Sequence, residues 1–469
     1  MKKNVLLLLF LASTILSAQI TQIGTAINGA EFNNQAGASL SFNIDGSVLA
    51  VGYLRTLPIF EDRGMARVFE KINNEWIQKG SDLGNQGTDD RGSHVSLNGD
   101  GSVLAMSTGS PVGGHNSNVT IYEFINNDWQ LKGNPIDLRD RIAKLNEQGN
   151  IVVISDPNPI AATVIYEYIN NDWQLIASIE NNAALNGIGV DINAEGSIIA
   201  LLNFSGSSNN WERIHFVEIY KNINDNWTQI GSIEKLSKET IIVAFDLNKT
   251  GDVIIISSVR EDEDEIPFSE TKVYKYENEI WEQIGNTILL SPTDDFHRIE
   301  SIVKINDTGD IIAIGNPFEN GAVKLYKLNN NNWFQLGEVI GDGGDFGRAI
   351  SFSEDATMLA VGAPTYSEVG FKFGQVTTYE INYELFGLDY ISKTTNLLVY
   401  PNPVKNILNI EAQNGINIKH ITVYDLLERQ LMYKEKPNHQ LNISNLNKGI
   451  LIVKIKTNEG VSVKKIIKN

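Results

Sequence analysis

Short apolar runs and polar turns alternate along most of the chain, and the same alternation returns several times. In one stretch, His94 to Leu97 alternates between polar and apolar residues, and Val103 to Met106 is an unbroken apolar run. Alternation predicts a strand with one buried face, and a short continuous run predicts a strand buried on both faces. Val119 to Phe124 and Trp129 to Lys132 complete a predicted unit of four antiparallel strands.

A phrase recurs between the last two strands of the first six units: an Asn-Asn turn, then a tryptophan, then Gln-x-Gly, while the seventh unit has no tryptophan. Asn tolerates the positive φ of a tight hairpin, so the phrase predicts a turn between the third and fourth strands. The fixed place of the tryptophans predicts packing between neighbouring units rather than sugar binding. They are Trp76, Trp129, Trp173, Trp227, Trp281 and Trp333.

A polar-Gly turn precedes a β-branched run in every unit. Seven such turns occur along the chain, which predicts seven units. These turns are Asp45-Gly46, Asp100-Gly101, Gln148-Gly149, Glu195-Gly196, Thr250-Gly251, Thr308-Gly309 and, without glycine, Asp355-Ala356. Four-stranded units at this spacing are typical of β-propeller blades. Ile20 to Gly24 resembles a fourth strand without its hairpin, and we expect it to close the last unit. The sequence predicts an all-β chain with a seven-bladed β-propeller over residues 19–385.

The connections between strands differ between the two faces of such a propeller. The turns after the first and third strands are short and uniform, whereas the other connections vary, and variable loops on one rim often carry recognition. Trp211 lies in a variable loop of unit four, outside the tryptophan repeat, and Tyr366 and Phe371 lie in the equivalent loop of unit seven. Exposed aromatic side chains commonly anchor binding surfaces, so these three are the candidate ligand-binding residues.

The seventh unit contains Gly344-Asp345-Phe346-Gly347-Arg348, then Leu359 to Pro364 and Gly374-Gln375-Val376. These segments resemble the FG-GAP repeat of integrin α-subunit propellers and their bacterial relatives. The resemblance implies a seven-bladed propeller that binds rather than catalyses. Some repeats of that family hold calcium in a long Asp-rich loop, but the turn Asn98 to Gly101 offers too few oxygens for six to eight ligands. The acidic run Glu261 to Glu265 is interpreted as a solvated loop, and no metal or cofactor is expected.

Charge and composition narrow the possible partners and chemistry. The chain has 469 residues, no cysteine, and 38 basic against 57 acidic residues, for a net charge of −19. Phosphate backbones are bound by clustered Lys and Arg, so nucleic acid is not an expected partner. The six histidines lack metal-ligand spacing. The carboxylate pairs Asp89-Asp90 and Asp294-Asp295 recur at equivalent positions, which favours a structural role.

The sequence thus favours a binding protein over an enzyme. An extracellular hydrolase or lyase that cleaves glycans or peptides is the alternative, and it predicts three or more buried acidic or histidine side chains around the central pore. A structural surface protein without a specific ligand is the third hypothesis, and it predicts a flat rim without exposed aromatic side chains.

The N-terminus has the pattern of a secretory signal peptide. Lys2 and Lys3 precede an apolar run, Val5 to Leu16, and small residues follow it. We expect cleavage between Ala18 and Gln19, which makes residues 1–18 the signal peptide. No later apolar stretch reaches the 18 or more residues of a membrane-spanning helix, so no transmembrane helix is expected.

The pattern changes after residue 385. Residues 386–396 are interpreted as a linker, and residues 397–469 alternate short strands with Asn, Gly and Pro, which predicts a small β-sandwich. This segment contains Tyr400-Pro401-Asn402-Pro403, Val423-Tyr424-Asp425 and Leu446 to Gly449, and it ends in a basic strand. It resembles the type A C-terminal sorting domain of the Bacteroidetes type IX secretion system.

That resemblance implies a route of export. The signal peptide directs the chain across the inner membrane, and an outer-membrane translocon then recognises the C-terminal domain. The residues expected to carry the sorting signal are Tyr400, Pro401, Asn402, Pro403, Asp425 and Gly449. The expected location is the cell surface or the medium, and the expected partners are the translocon and an extracellular protein or glycan.

Overall fold

The computed structural model divides the chain into two compact units, one formed by Ile20–Ile381 and the other containing Asn382–Asn469. All elements assigned in the described residues are β-strands, so the predicted all-β fold is confirmed. The described ranges are 19–29, 33–55, 63–84, 93–108, 118–138, 142–155, 162–180, 185–205, 214–233, 240–261, 267–290, 302–317, 320–367, 372–383, 397–412, 417–424, 430–435, 440–457 and 461–469.

Within these ranges the larger unit contains seven sheets, here called sheets 1 to 7 in chain order. Strand β1 (Gln19–Asn28) precedes them. Sheet 1 contains β2 (Ala36–Phe42), β3 (Val48–Arg55), β4 (Arg63–Ile72), β5 (Glu75–Gln78) and β6 (Leu83–Gly84). Sheet 2 contains β7 (Ser93–Leu97), β8 (Val103–Thr108), β9 (Asn118–Ile125), β10 (Asp128–Leu131) and β11 (Ile136–Asp137).

The next four sheets each consist of four consecutive antiparallel strands. Sheet 3 contains β12 (Ile142–Leu145), β13 (Ile151–Ser155), β14 (Ala162–Ile169) and β15 (Asp172–Glu180). Sheet 4 contains β16 (Leu185–Ile192), β17 (Ile198–Ser205), β18 (Ile214–Ile223) and β19 (Asn226–Ile233). Sheet 5 contains β20 (Ile241–Leu247), β21 (Val253–Glu261), β22 (Pro267–Glu277) and β23 (Ile280–Leu290). Sheet 6 contains β24 (Ile302–Ile305), β25 (Ile311–Asn316), β26 (Ala322–Asn329) and β27 (Asn332–Ile340).

Sheet 7 joins the two ends of the larger unit. It contains β28 (Ala349–Phe352), β29 (Met358–Ala363) and β30 (Gln375–Asn382), and its fourth strand is β1. The Thr378 hydroxyl on β30 donates to the Ile23 carbonyl on β1 at 2.9 Å. The N-terminal strand therefore occupies the place of the missing tryptophan strand of the seventh unit.

The tryptophans of sheets 2 and 3 each connect their sheet to the preceding one. The Trp129 indole N–H donates to the Lys79 carbonyl at 2.7 Å, and that of Trp173 donates to the Lys132 carbonyl at 2.7 Å. Both rings are buried. A Cβ atom on Gly80 would lie 2.7 Å from Trp129 Cδ1, so the glycine of Gln-x-Gly makes room for the tryptophan of the next sheet.

A buried Asn shapes the turn after the first strand of most sheets. In sheet 2, Asn98 Oδ1 accepts the N–H groups of Ser102 at 3.0 Å and Val103 at 2.8 Å. The turn carboxylate of Asp100 is also used internally, because it accepts from Asn98 Nδ2 at 2.9 Å and from the Ser102 N–H. The equivalent turn residues of the seven sheets are Asn43, Asn98, Asn146, Asn193, Asn248, Asn306 and Ser353.

Backbone hydrogen bonds join these turns from sheet to sheet. The N–H after the turn Asn donates to the equivalent carbonyl of the following sheet, as from Ile44 to Gly99 at 3.0 Å, and the Glu354 N–H of sheet 7 donates to the Ile44 carbonyl of sheet 1 at 2.9 Å. Between sheets 5 and 6, Asn248 Nδ2 donates to the Asp307 carbonyl at 3.2 Å. Because the series returns to sheet 1, the sheets surround one axis in a propeller-like arrangement.

The C-terminal unit contains two sheets within its described residues, with strand orders β31-β32-β35 and β34-β33-β36-β37. Leu408 from the first sheet and Ile421 and Val453 from the second share one apolar core. The strands are β31 (Leu397–Tyr400), β32 (Ile407–Ala412), β33 (Ile418–Tyr424), β34 (Gln430–Glu435), β35 (Gln440–Asn442), β36 (Gly449–Thr457) and β37 (Val461–Lys468).

Candidate functional site

One polar residue from the first strand of each sheet lies beside the common axis, two positions before the turn Asn or Ser. We call these seven residues the inner ring. They are Ser41, Ser96, Lys144, Asp191, Asp246, Lys304 and Ser351.

Five members of the inner ring have a structural role. Ser41 Oγ accepts the Leu97 N–H at 2.9 Å, and Asp246 Oδ2 accepts the Ile305 N–H at 2.9 Å. Equivalent bonds run from the next sheet to the other two serines and to Asp191. Each bond satisfies a backbone donor on the inner edge of a first strand, which lacks a further strand to pair with.

The two lysines of the ring cannot make this bond, because an ammonium group has no acceptor lone pair. Lys304 forms an ion pair with Asp246 in the preceding sheet. Burial opposes its charge, but the nearby carboxylates of Asp246 and Asp191 outweigh that effect and raise the pKa of Lys304.

Lys144 is different, because within the described residues its ammonium has neither a hydrogen-bond partner nor an ion pair at contact distance. Burial and the like charge of Lys304 lower its pKa, against the opposing effect of Asp191 and Asp246. Among the described residues, Lys144 is thus the one lysine of the inner ring without a contact partner.

His94 lies in the first strand of sheet 2, three residues before Leu97, and its side chain is exposed. Desolvation by the surrounding protein and, secondarily, the charge of Lys144 lower the pKa of His94 to about 4. With this lowered pKa the imidazole of His94 is neutral at pH 7.

An ion triad lies near the turns that surround the axis. Lys249 Nζ lies 3.1 Å from Glu147 Oε2 and 2.9 Å from Glu354 Oε2, so one lysine of sheet 5 joins carboxylates from sheets 3 and 7. Burial works against the ammonium, but the hydrogen bonds and charges of the two carboxylates raise the pKa of Lys249. The three side chains of the triad line the cavity described next.

A cavity of about 220 Å³ lies between the inner ring and this triad. That volume is below the range of roughly 300–1,000 Å³ for pockets that hold drug-sized ligands, so the cavity suits a small molecule. Its polar lining includes Ser41, Lys144, Asp246, Lys304 and Ser351.

If the chain were an enzyme, three or more buried acidic or histidine side chains would be expected around the pore. Among the acidic and histidine side chains described above, Asp246 is buried, Asp191, Glu147 and Glu354 are half-buried, and His94 is exposed. In the part of the chain that the structure describes, no group of three or more His, Asp or Glu side chains is placed to hold a metal ion.

The aromatic ligand candidates fall in different places. Tyr366 is 6% exposed, and its hydroxyl donates to Asp342 Oδ2 at 3.2 Å. Its backbone also lies against Gly344, since a Cβ there would be 2.5 Å from Tyr366 Cα. The expectation of an exposed ring therefore does not hold at Tyr366. Trp211 and Phe371 lie outside the described residues, and ligand binding by the three stays a prediction.

The predicted sorting residues that the structure describes lie around the first and last strands of the C-terminal unit. The Tyr400 hydroxyl donates to Glu411 Oε1 at 2.5 Å, and Asn402 Oδ1 accepts the Ile467 N–H at 2.8 Å. The peptide bonds that precede Pro401 and Pro403 are cis. Gly449 begins β36 with a φ of 143°.

Several other predicted features lie outside the described residues. These are Ala18, Asp425, the pairs Asp89-Asp90 and Asp294-Asp295, and residues 262–265 of the acidic run. Gln19 begins strand β1. The described residues contain no helix with the length and apolar character needed to cross a membrane.

The inner ring was missed by the sequence analysis, although a signal for it exists. An alignment of the seven units on the turn Asn gives a column with Ser, Ser, Lys, Asp, Asp, Lys and Ser, each followed by an apolar residue. A polar residue at the same place in seven otherwise apolar strands indicates a shared role for that position. The two lysines stand out in the column because the other five side chains are short and can accept a hydrogen bond.

Residues 398–469 match the family described as "Secretion system C-terminal sorting domain". This match supports export through the type IX secretion system and a location outside the cell or on its surface. No curated protein matches the chain. A solved structure, Kuenenia stuttgartiensis hydrazine synthase, is similar at 10% identity over 72% of this chain and 94% of that chain, with a TM-score of 0.49. A likeness this weak carries no information about activity.

Proposed function

We propose that the chain is a cell-surface or secreted binding protein: a seven-bladed β-propeller that binds an extracellular protein or glycan and is exported by a C-terminal sorting β-sandwich. The observation that carries the proposal is the match of residues 398–469 to the sorting-domain family. The signal-peptide pattern at residues 1–18 supplies the first step of the same route.

The hydrogen-bond pattern of the larger unit supports the blade count. Each sheet contributes one turn to the series around the axis, and the series returns from Glu354 to Ile44 after seven turns. The pairing of β1 with β30 removes the free edge that an unclosed last blade would expose.

The local structure of the C-terminal unit supports a recognition role for its opening motif. The Val404 N–H donates to the Ile467 carbonyl at 2.8 Å, and the Asn469 N–H donates to the Val404 carbonyl at 2.9 Å. Together with the bond to Asn402, these contacts hold residues 402–404 against the last strand. The motif and the C-terminus therefore form a single surface that a translocon can recognise.

The chemistry of the inner ring favours binding over cleavage. A glycosidase needs two carboxyl groups placed across a cleft with room for substrate and water. Here Asp191 and Asp246 each accept a backbone N–H, and Asp246 also pairs with Lys304. Carboxylates held in this way maintain the structure of the ring.

Deletion of the sorting domain tests the proposal in the native host. The chain truncated after Asn396 should accumulate in the periplasm, whereas the full chain should become accessible to protease added to intact cells. Asn402→Ala, which removes the bond to Ile467, should lower the exported fraction. Asn409→Ala, at an exposed bond to Gln440 within the first sheet, is the matched control and should not. Normal export of the truncated chain would contradict the proposal.

A further inference from the structure

The ion pair between Lys304 and Asp246 joins sheets 5 and 6 inside the inner ring. Lys304 Nζ contacts Asp246 Oδ1, and only 24% of the lysine side chain and 9% of the aspartate side chain are exposed. Two opposite charges that are largely withdrawn from water lose hydration free energy, which their mutual attraction repays only in part. Burial therefore favours an uncharged product of this pair over the pair itself.

The two carboxyl oxygens of Asp246 have different environments. Oδ1 contacts the lysine, whereas Oδ2 accepts the Ile305 N–H at 2.9 Å. A hydrogen bond to Oδ2 draws electron density from the carboxyl carbon, and it stabilises the negative charge that develops on this oxygen when a nucleophile attacks. Ile305 directly follows Lys304 in β24, so adjacent residues supply the nucleophilic nitrogen and the donor that polarises its target.

Asp191 of sheet 4 is a third ionisable group whose charge acts on both members of the pair. Burial and the charge of Asp191 raise the pKa of Asp246, despite the opposing effect of Lys304. A raised pKa favours the protonated carboxyl group, which is the form that an amine attacks. Lys304 is held as the ammonium form, so we expect the amine to arise by transfer of a proton to a neighbouring carboxylate.

We propose that Lys304 and Asp246 condense to an intramolecular amide bond that links sheets 5 and 6. Lys304 Nζ bonds to Cγ of Asp246, the bond between Cγ and Oδ1 breaks, and Oδ1 leaves as water with two of the three ammonium protons. Oδ2 becomes the amide oxygen and still accepts the Ile305 N–H. The step consumes no other reactant, and the charge of Asp191 promotes it by favouring the protonated form of Asp246.

The bond closes a loop between residues that are 58 positions apart in the chain. A covalent link of this kind restricts the unfolded chain and thereby stabilises the folded one. The chain has no cysteine and therefore no disulfide that could do the same. The inference depends neither on the proposed binding function nor on the proposed export route.

Mass spectrometry of the purified full chain tests the bond. The intact protein should be one water lighter than its sequence, and a tryptic digest should contain a branched peptide with Asp246 and Lys304, because trypsin does not cleave after an acylated lysine. Lys304→Arg should restore the full mass, since the guanidinium keeps the positive charge but stays protonated. Lys144→Arg is the matched control, at the ring lysine without a contact partner in the described residues, and it should stay one water lighter.

Two further variants separate the chemistry from the fold. Asp246→Ser retains an acceptor for the Ile305 N–H, as serine does in three other sheets, and should have the full mass. Asp191→Asn retains an acceptor for the Leu247 N–H and should slow the loss of water in freshly synthesised protein roughly tenfold or more.

The unmodified chain alone can overturn the proposal. Its full sequence mass, together with tryptic cleavage after Lys304, would show that the pair remains an ion pair. A loss of water that persists in Lys304→Arg would also overturn it, because that loss would come from another site, such as cyclisation at an Asp-Gly turn. Formation at an unchanged rate in Asp191→Asn would overturn the role of Asp191.

Discussion

At the residue scale, the inner-ring position of the repeat holds either a hydrogen-bond acceptor or a lysine. Serine or aspartate there accepts a backbone N–H from the next sheet, as at Ser41 and Asp246. A lysine cannot, so Lys304 pairs with Asp246, and Lys144 is left without a contact partner in the described residues. The effect of this charge reaches the imidazole of His94, which belongs to the neighbouring sheet.

We expect His94 to titrate near pH 4, well below the ordinary value for histidine. Nuclear magnetic resonance of the imidazole protons measures this midpoint, and the spectrum of His94→Asn assigns the signal. Lys144→Ser should raise the midpoint because it removes a nearby positive charge, while Lys221→Met should not move it. Titration of His94 near pH 6.5 in the unmodified chain would contradict the placement of this side chain.

The same pKa predicts the direction of a pH effect on stability. Since the folded-state pKa is lowered, the unfolded chain binds the His94 proton more readily between about pH 4 and 6.5. The contribution of His94 to the free energy of unfolding is therefore fully present above that window and falls as the pH drops through it. In His94→Asn this part of the pH dependence should be absent.

At the scale of the elements, four pairs of neighbouring sheets are joined by a tryptophan of one sheet packed on a glycine of the preceding sheet. The contact recurs because the repeated phrase contains both groups. Its tryptophan packs on the preceding sheet, and its glycine lies against the tryptophan of the following sheet. A Cβ on Gly285, for example, would lie 2.5 Å from Trp333 Cδ1. The interface between sheets is thus encoded within a few residues.

Gly80→Ala should destabilise the larger unit by about 1–3 kcal/mol through overpacking against Trp129. Gly343→Ala is the matched control, because both glycines have positive φ but a Cβ on Gly343 meets nothing within 4 Å. Urea unfolding followed by tryptophan fluorescence reports on this unit, since all seven tryptophans lie within it. Equal loss of stability in the two variants would show that the close contact between Gly80 and the Trp129 side chain does not affect stability.

The elements that the sequence predicts well are those with local signals. The Asn-Asn turns have positive φ at both positions, as at Asn126 and Asn127, which is what a tight hairpin of this type requires. The two-residue strands β6 and β11 were not predicted, because so short a segment has no periodicity to detect. Each pairs with the third strand of its sheet, beside the fourth.

Features that depend on contacts between distant residues were predicted less well. Tyr366 has the sequence context of an exposed loop, but the segment around Asp342 and Gly344 covers it, and that segment precedes it by more than 20 residues. The inner ring likewise arises only when seven first strands meet at one axis. A single unit shows Lys144 as one polar residue in a strand, and its isolation emerges from the neighbouring sheets.

At the scale of the whole molecule, the chain combines a large unit of seven sheets with a C-terminal unit that has its own apolar core. The family match, residues 398–469, lies within the second unit. The net charge of −19 of the full sequence accords with a partner other than nucleic acid.

The central claim, that the C-terminal unit is the export signal, is tested most directly by transfer. A reporter protein placed between residues 1–18 and residues 386–469 should appear at the surface or in the medium of the native host. The same reporter without residues 386–469 should stay in the periplasm, and so should a fusion with Leu408→Asp, which places a charge in the apolar core of the domain. Retention of the intact fusion in the periplasm, at the level of the reporter without the tail, would contradict the account.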